Sequence, residues 1–495
     1  MNLSKQITIL LLPLTLLLSC QNADNPNQAS DNNVFTQFLS GEDEFEADYQ
    51  DILERDTLKA ITIFSPTSYF LYRGQPMGYE YELVKRLADD IGVELEMIVA
   101  DDMDEIFNLL LTGEGDIITY GLTVTGQRKE FVDFSLPLNF THQVLVQRKP
   151  DNWRQMKLHN IEKELIRNPI RLIGKNIHVR KNSSYRERLE NLQEEIGGEI
   201  GIEFLPGNVA TDDIIRMVNA GEIEYTIANE NIARINKAYY ANIDINTTVG
   251  VMQQLAWSTR KSSPELRGVV NKWITEQRDD SEFYVIYNKY FKNQRSFAQR
   301  VKSDSYNEGG NNISPYDELL QNNADKIDWD WRLLASQMYQ ESQFSPDRKS
   351  WAGAIGLMQL MPKTAKSYGY KNLKDPKSNI EAGIAHLEYL DNYWTKHIAD
   401  STERVKFILA SYNAGHDHVQ DARRLAEKYD YDPNVWFDNV EECLLMKSEK
   451  RYINDEVVKF GYCRGTEPVK YVTEIFERYK LYQQFSSEDE LIAAS

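Results

Sequence analysis

The feature that most constrains this chain is a change of hydrophobic period a little past its middle. Up to about residue 290, apolar runs of strand length alternate with helical patterns; beyond about residue 315 only helical spacing remains. Leu58–Phe64 reads as a strand. Leu83, Val84, Leu87, Ala88 and Ile91 give Tyr81–Ile91 one helical face, and Val93–Val99 alternates again. Strand, helix and strand within about forty residues form a βαβ unit, which requires a parallel sheet. Ile106–Leu111 and Asp116–Tyr120 extend it. A second block from Leu172, with strands at Asn176–Arg180 and Tyr225–Ala228, predicts a second α/β lobe. After Val249 the chain should return to the first lobe. There Leu266, Val269, Val270, Trp273 and Ile274 mark a helix, and the domain closes near Phe291. These spacings predict a two-lobed α/β domain over residues 51–294, a Ser/Asp/Asn/Gly-rich linker over 295–314, an all-α domain over 315–485 and a tail over 486–495.

The N-terminus carries an address. Lys5 precedes an uncharged run from Ile7 to Leu18, too short to span a bilayer. Leu17-Leu18-Ser19-Cys20 resembles the bacterial lipobox. That resemblance implies a lipoprotein signal over residues 1–20, acylation of Cys20 and, with Gln21 following, a peripheral anchor on the periplasmic face of the outer membrane. Gln21–Glu46, rich in Asn, Asp, Ser and Glu with little apolar content, reads as a flexible tether over 21–50. A net charge of −20, from 56 basic against 76 acidic residues, argues against a nucleic-acid partner. Of three cysteines, Cys443 and Cys463 remain. Spacing leaves a disulfide and two buried thiols equally open.

Gly78-Tyr79-Glu80-Tyr81-Glu82-Leu83, Gly115-Asp116-Ile117-Ile118, and Gly121 through Lys129 closed by Val132-Asp133-Phe134-Ser135 resemble the family 3 periplasmic solute-binding proteins. The resemblance implies a non-catalytic, periplasmic-binding-protein-like fold holding a small ligand between its lobes, an amino acid or a muropeptide. By it, Thr123 and Arg128 grip the ligand's carboxylate, for which a planar guanidinium is suited. In the second lobe Asn229 stands where the family has an aspartate for the ligand's ammonium, so Glu230 is the substitute candidate. Asn182, Ser183 and Ser184 fall where that lobe contacts ligand.

In the all-α half, helices are expected at Tyr316–Asn323, Trp331–Glu341, Pro362–Tyr368, Asn379–Tyr393, Thr402–Tyr412 and Val469–Tyr482. Trp331, Leu334, Ala335 and Met338 form an inward stripe, and Glu341 lies on it, about 20° off Leu334 in projection. A carboxyl there loses water and gains a raised pKa, as a general acid working near neutral pH requires.

Glu341-Ser342, Pro346, Ser350, Gly356-Leu357-Met358-Gln359-Leu360 with Pro362, and Ala410-Ser411-Tyr412-Asn413-Ala414-Gly415 together resemble the soluble lytic transglycosylases, whose fold is like goose-type lysozyme. The resemblance implies that Glu341 is the catalytic residue on peptidoglycan glycan strands. Ser342 then supports it, Met358 and Gln359 line the saccharide groove, Tyr412 and Asn413 position substrate, and Tyr471 faces the acid; Ser411 replaces a commoner alanine harmlessly. No cofactor or metal is implied. His386, His397, His416 and His418 lack a metal-ligand pattern, and His416-Asp417-His418 reads as a solvated turn. Such enzymes use one carboxyl group where ordinary glycosidases use two. Their product is a 1,6-anhydro-N-acetylmuramic acid end, formed without water. Asp347 activating water would make the chain a lysozyme-like hydrolase instead; an inert, glycan-gripping domain would make it a ligand sensor. The order signal, solute-binding domain, transglycosylase resembles that of membrane-bound lytic transglycosylases.

Overall fold

The computed structural model describes residues 45–293, 299–300, 306–307 and 312–485. Cys20, the signal, most of the tether and linker, and the tail lie outside these residues.

The α/β half has two sheets. In the first lobe the strands run Glu94–Val99, Thr57–Thr62, Ile117–Thr123, Gln253–Arg260, Val132–Phe134. The first three are parallel, as the βαβ spacing requires, and Gln253–Arg260 returns antiparallel from the second lobe. The second sheet runs Gly201–Leu205, Asn176–Arg180, Tyr225–Asn229, Gln143–Arg148, Ile243–Thr248. Its first three strands are parallel, and Gln143–Arg148 is antiparallel to both its neighbours. Thr123, Arg180 and Asn229 are each the last residue of a parallel strand. Ligands of open α/β sheets collect in the crevice beyond such strand ends.

Order begins earlier than Asp51. Asp48 caps the helix Tyr49–Arg55, and its carboxylate also accepts from Glu265 N (2.9 Å) and Leu266 N (2.8 Å), tying this segment to the helix Pro264–Gln277. The linker is not featureless either. Tyr306–Asn307 pairs antiparallel with Tyr72 and Leu71, at the edge of the hairpin Phe70–Tyr72/Gln75–Met77.

The helical half packs around Trp331–Ser342. This helix is buried on nearly every face, Leu333, Ser336, Gln337 and Tyr339 included, so it is a central helix, not an amphipathic one with a single stripe. Thr466–Gln484 lies against it, with Ser336 Oγ donating to Ile475 O (2.6 Å). His416-Asp417-His418 is not a turn. Gly415, at φ +90°, ends the helix Ser401–Ala414, and His416 opens another, His416–Lys428. Within it the fully buried Asp421 pairs with the fully buried Lys447 Nζ at 2.8 Å. Cys443 and Cys463 are buried, unbridged thiols.

The two halves share one continuous apolar core. The ring of Phe485 lies 4.5 Å from Phe64 and 5.3 Å from Tyr69. Tyr482 Oη donates to Gly74 O (3.0 Å), Gln75 Nε2 to Tyr339 Oη (2.5 Å) and Gln484 Nε2 to Met97 O (2.8 Å). Gly74 has φ +72°, and a Cβ there would come within 2.7 Å of Phe344, Tyr339 and Tyr482. Only glycine lets the hairpin seat on the helical half.

Candidate functional site

Glu341 sits in the last turn of Trp331–Ser342, partly buried. Beyond Ser342 the chain reverses through Gln343 and Phe344, both with positive φ. Tyr471, from the neighbouring helix Thr466–Gln484, donates its hydroxyl to Glu341 Oε1 at 2.5 Å. Gln337, one turn before Glu341, donates Nε2 to Tyr471 Oη at 3.4 Å. Burial raises the Glu341 pKa to about 7, and the tyrosine hydrogen bond opposes that rise. No other carboxylate contributes to the shift. Oε1 is held by Tyr471, and Oε2 has no hydrogen bond among the described residues.

Across from this acid is a turn built from Ile355 to Leu360, whose ends pair with one another. Asn379, fully buried near the start of the helix Pro376–Trp394, clamps it. Its Oδ1 accepts from Met358 N (2.7 Å), and Nδ2 donates to Ile355 O (3.0 Å) and Leu373 O (2.8 Å). Tyr412 Oη donates to Met358 O at 2.8 Å; burial raises the pKa of this tyrosine, and the Glu341 charge adds to the rise. Acid, Tyr471, Tyr412 and the Met358 turn thus form one constellation.

Other expected residues have different roles. Met358 is fully buried, so it supports the groove through its backbone and does not line it. Ser342 is also fully buried, its hydroxyl turned back to Met338 O (3.2 Å), and it supports the helix end without reaching substrate. Gln359 is part-exposed and folds its amide onto Gly356 O (2.8 Å) and Arg348 O (3.1 Å), while Asn413 is exposed. Ser411 has a task, accepting the indole N–H of buried Trp394 at 2.8 Å. Asp347 is 80% exposed at its side chain and only loosely paired with Lys374, 3.8 Å away. Sequence reasoning missed Gln337 and Asn379. Gln337 was within reach, four residues before Glu341 on the same helical face.

A second candidate site lies between the lobes. Thr123, Arg128, Ser183, Ser184 and Asn229 line one cleft, together with Glu80, Arg180 and Asp212. Arg128 is buried, donates to Thr123 O (2.8 Å) and lies 5.7 Å from the centre of the Phe107 ring. Two expected residues are not part of it. Asn182, at φ +58°, turns its side chain to Asp104 Oδ2 (2.6 Å), and Glu230 pairs with Arg234 on the helix Glu230–Tyr239.

Residues 60–293 match the bacterial extracellular solute-binding proteins, family 3, and residues 318–435 the transglycosylase SLT domain. Fold and site thus define a transglycosylase of the lyase class fused behind a solute-binding module. More particularly, the chain belongs to the family of membrane-bound lytic murein transglycosylase F. A relative of that name from Desulfosudis oleivorans is 33% identical over 88% of this chain and 91% of its own length; one from Pseudomonas fluorescens strain Pf-5 is 32% identical over 87% and 85%. Among solved structures, a mutant of ArgBP from T. maritima is 24% identical, covering 49% of this chain and 98% of that one with a TM-score of 0.41.

Proposed function

We propose that this chain cleaves the glycan strands of peptidoglycan by lytic transglycosylation, with Glu341 as both acid and base. The observation that carries the reading is one partly buried carboxyl group, held at Oε1 by Tyr471 and raised by burial to about 7 with no second carboxylate contributing. A group titrating near neutral pH can give a proton and take one back in the same turnover. Glu341 protonates the oxygen bridging N-acetylmuramic acid and N-acetylglucosamine, and that bond to the anomeric carbon breaks. The substrate's N-acetyl group assists. The carboxylate left on Glu341 then removes the proton of the muramyl 6-hydroxyl, whose oxygen bonds to the anomeric carbon and closes the 1,6-anhydro ring. No water enters. An exposed Asp347 with only a loose lysine partner is a poor base for a hydrolytic alternative.

Tyr471 is a positioning residue in this scheme: it holds Oε1 so that Oε2 faces the sugar. Because its hydrogen bond stabilises the carboxylate, Tyr471→Phe raises the Glu341 pKa further. The alkaline limb of kcat/KM on purified sacculi, where protonated Glu341 is lost, should then move up by about one pH unit, with kcat down about ten- to a hundredfold. A loss of rate with an unmoved limb would make Tyr471 merely structural.

The reading extends to cell-wall turnover by an enzyme anchored through acyl chains on Cys20 to the periplasmic face of the outer membrane, with ligand in the cleft modulating catalysis. For the anchor, labelled palmitate should enter the wild-type chain and not Cys20→Ser; equal labelling would sink the assignment. For modulation, a cleft ligand must favour one lobe arrangement, and the Phe64–Met77 segment touches both the cleft and the ends of the two catalytic helices.

A further inference from the structure

A strand end of the second lobe and the turn after a strand end of the first each bring a cationic side chain to the cleft. Arg128 comes from the first lobe and Arg180 from the second, at 7% and 6% exposure. Neither guanidinium forms an ion pair with a carboxylate among the described residues. Arg128 donates to a backbone carbonyl, and Arg180 Nε has no hydrogen-bond partner among the described residues. Their charges oppose each other, and burial with this repulsion lowers the Arg128 pKa to about 10. Two buried, mutually repelling cations are costly unless something anionic joins them.

Two acidic side chains also line the cleft, and among the described residues neither forms an ion pair with an arginine. Asp212 accepts from Asn236 Nδ2 at 2.6 Å and attracts Arg180 only beyond ion-pair distance, as Glu187 attracts Arg128. Glu80 Oε2 is buried without a hydrogen-bond partner among the described residues, and burial raises the pKa of Glu80 to about 7, which weakens its negative charge near neutrality. The buried Asn229 Oδ1 is a further unpartnered acceptor, suited to an N–H of the ligand. The space between the lobes as they stand is about 50 Å³, so a small acid enters only when the lobes part.

We infer that Arg180 is a second anion-binding residue of this cleft, and that the cleft selects small acids bearing two carboxylates, one for Arg128 and one for Arg180. The inference rests on reading the cleft as a ligand site. It deepens that reading by naming the residue that separates a diacid from a monoacid of equal size. Arg180 ends its strand, so its side chain emerges at the crevice, whereas Asn182 two residues later has already turned away.

Calorimetry on the full chain tests this with isosteric pairs: L-glutamate against L-glutamine, and N-acetyl-L-glutamate against N-acetyl-L-glutamine, with inorganic phosphate as a separate arm. At least one acid of these pairs should bind about tenfold or more tighter than its amide, as expected for a charge-assisted pair in a desolvated site. In Arg180→Gln acid and amide should bind alike, at the amide's affinity; in Arg180→Lys, which keeps the charge, part of the preference should survive. Equal binding of acid and amide by the wild type would overturn the diacid inference and leave the ligand site intact. An undiminished preference in Arg180→Gln would overturn the role of Arg180. Binding of phosphate without any dicarboxylate would also overturn the inference, and no binding of any acid would overturn it together with the cleft reading. If Arg180→Gln does not fold, the wild-type ratios and Arg180→Lys still decide.

Discussion

Glu341→Gln should abolish release of muropeptides from sacculi, a loss of about 10³-fold or more, because one group serves both proton transfers. The same substitution should stabilise the protein at alkaline pH. The folded Glu341 holds its proton up to about 7, while an unfolded glutamate releases it near 4.5. The folded state therefore binds more protons across that interval. The stability from this group is fully present below 4.5 and is lost as pH rises through about 7. Glutamine carries no such penalty. Thermal melts should coincide near pH 4 and diverge by pH 8, the variant being more stable by roughly 1–3 kcal/mol, an upper range because the side chain is partly exposed. Glu80 titrates in the same window, but it is common to both proteins and cancels in the difference. A variant that keeps its activity, or that melts like wild type at every pH, would remove Glu341 from the centre of the mechanism.

Gly356→Val should disable the site without touching the acid. At φ +86° a β-branched residue is strained by roughly 1–2 kcal/mol. Its Cβ would also lie 2.1 Å from Asn379 Nδ2 and 2.4 Å from Leu373 O. Relief means displacing Asn379, the residue that holds Ile355 O, Leu373 O and Met358 N together. The expected cost is about 3 kcal/mol or more, seen as a drop of roughly 6–12 °C in the melting of the helical domain, with glycan cleavage down at least tenfold. An unchanged melting temperature and unchanged activity would mean that the clamp is dispensable.

Much of the architecture was legible because hydrophobic period is a local property. The βαβ spacing gave the parallel strands, and the shift to helical spacing marked the second half. What the period could not give is tertiary. Trp331–Ser342 is buried on nearly all sides, so its stripe explained only part of the burial of Glu341. Tyr471 lies 130 residues from Glu341, and no spacing rule joins them; the family resemblance did. Asn379 was invisible because its role exists only once the Gly356–Met358 turn folds against it. In the cleft, Asn182 was expected and Arg180 was not, because the left-handed backbone at Asn182 reverses the chain at the strand end. His416-Asp417-His418 was polar enough to read as a turn, yet Gly415 makes the break and His416 starts a helix.

The most direct measurement is the mass of muropeptides released from sacculi digested in ¹⁸O-labelled water. Products one water lighter than the hydrolytic muropeptides, free of the label, and absent with Glu341→Gln are what a single recycled carboxyl group predicts. Products carrying one labelled water would mean that the bond is hydrolysed, and would contradict it.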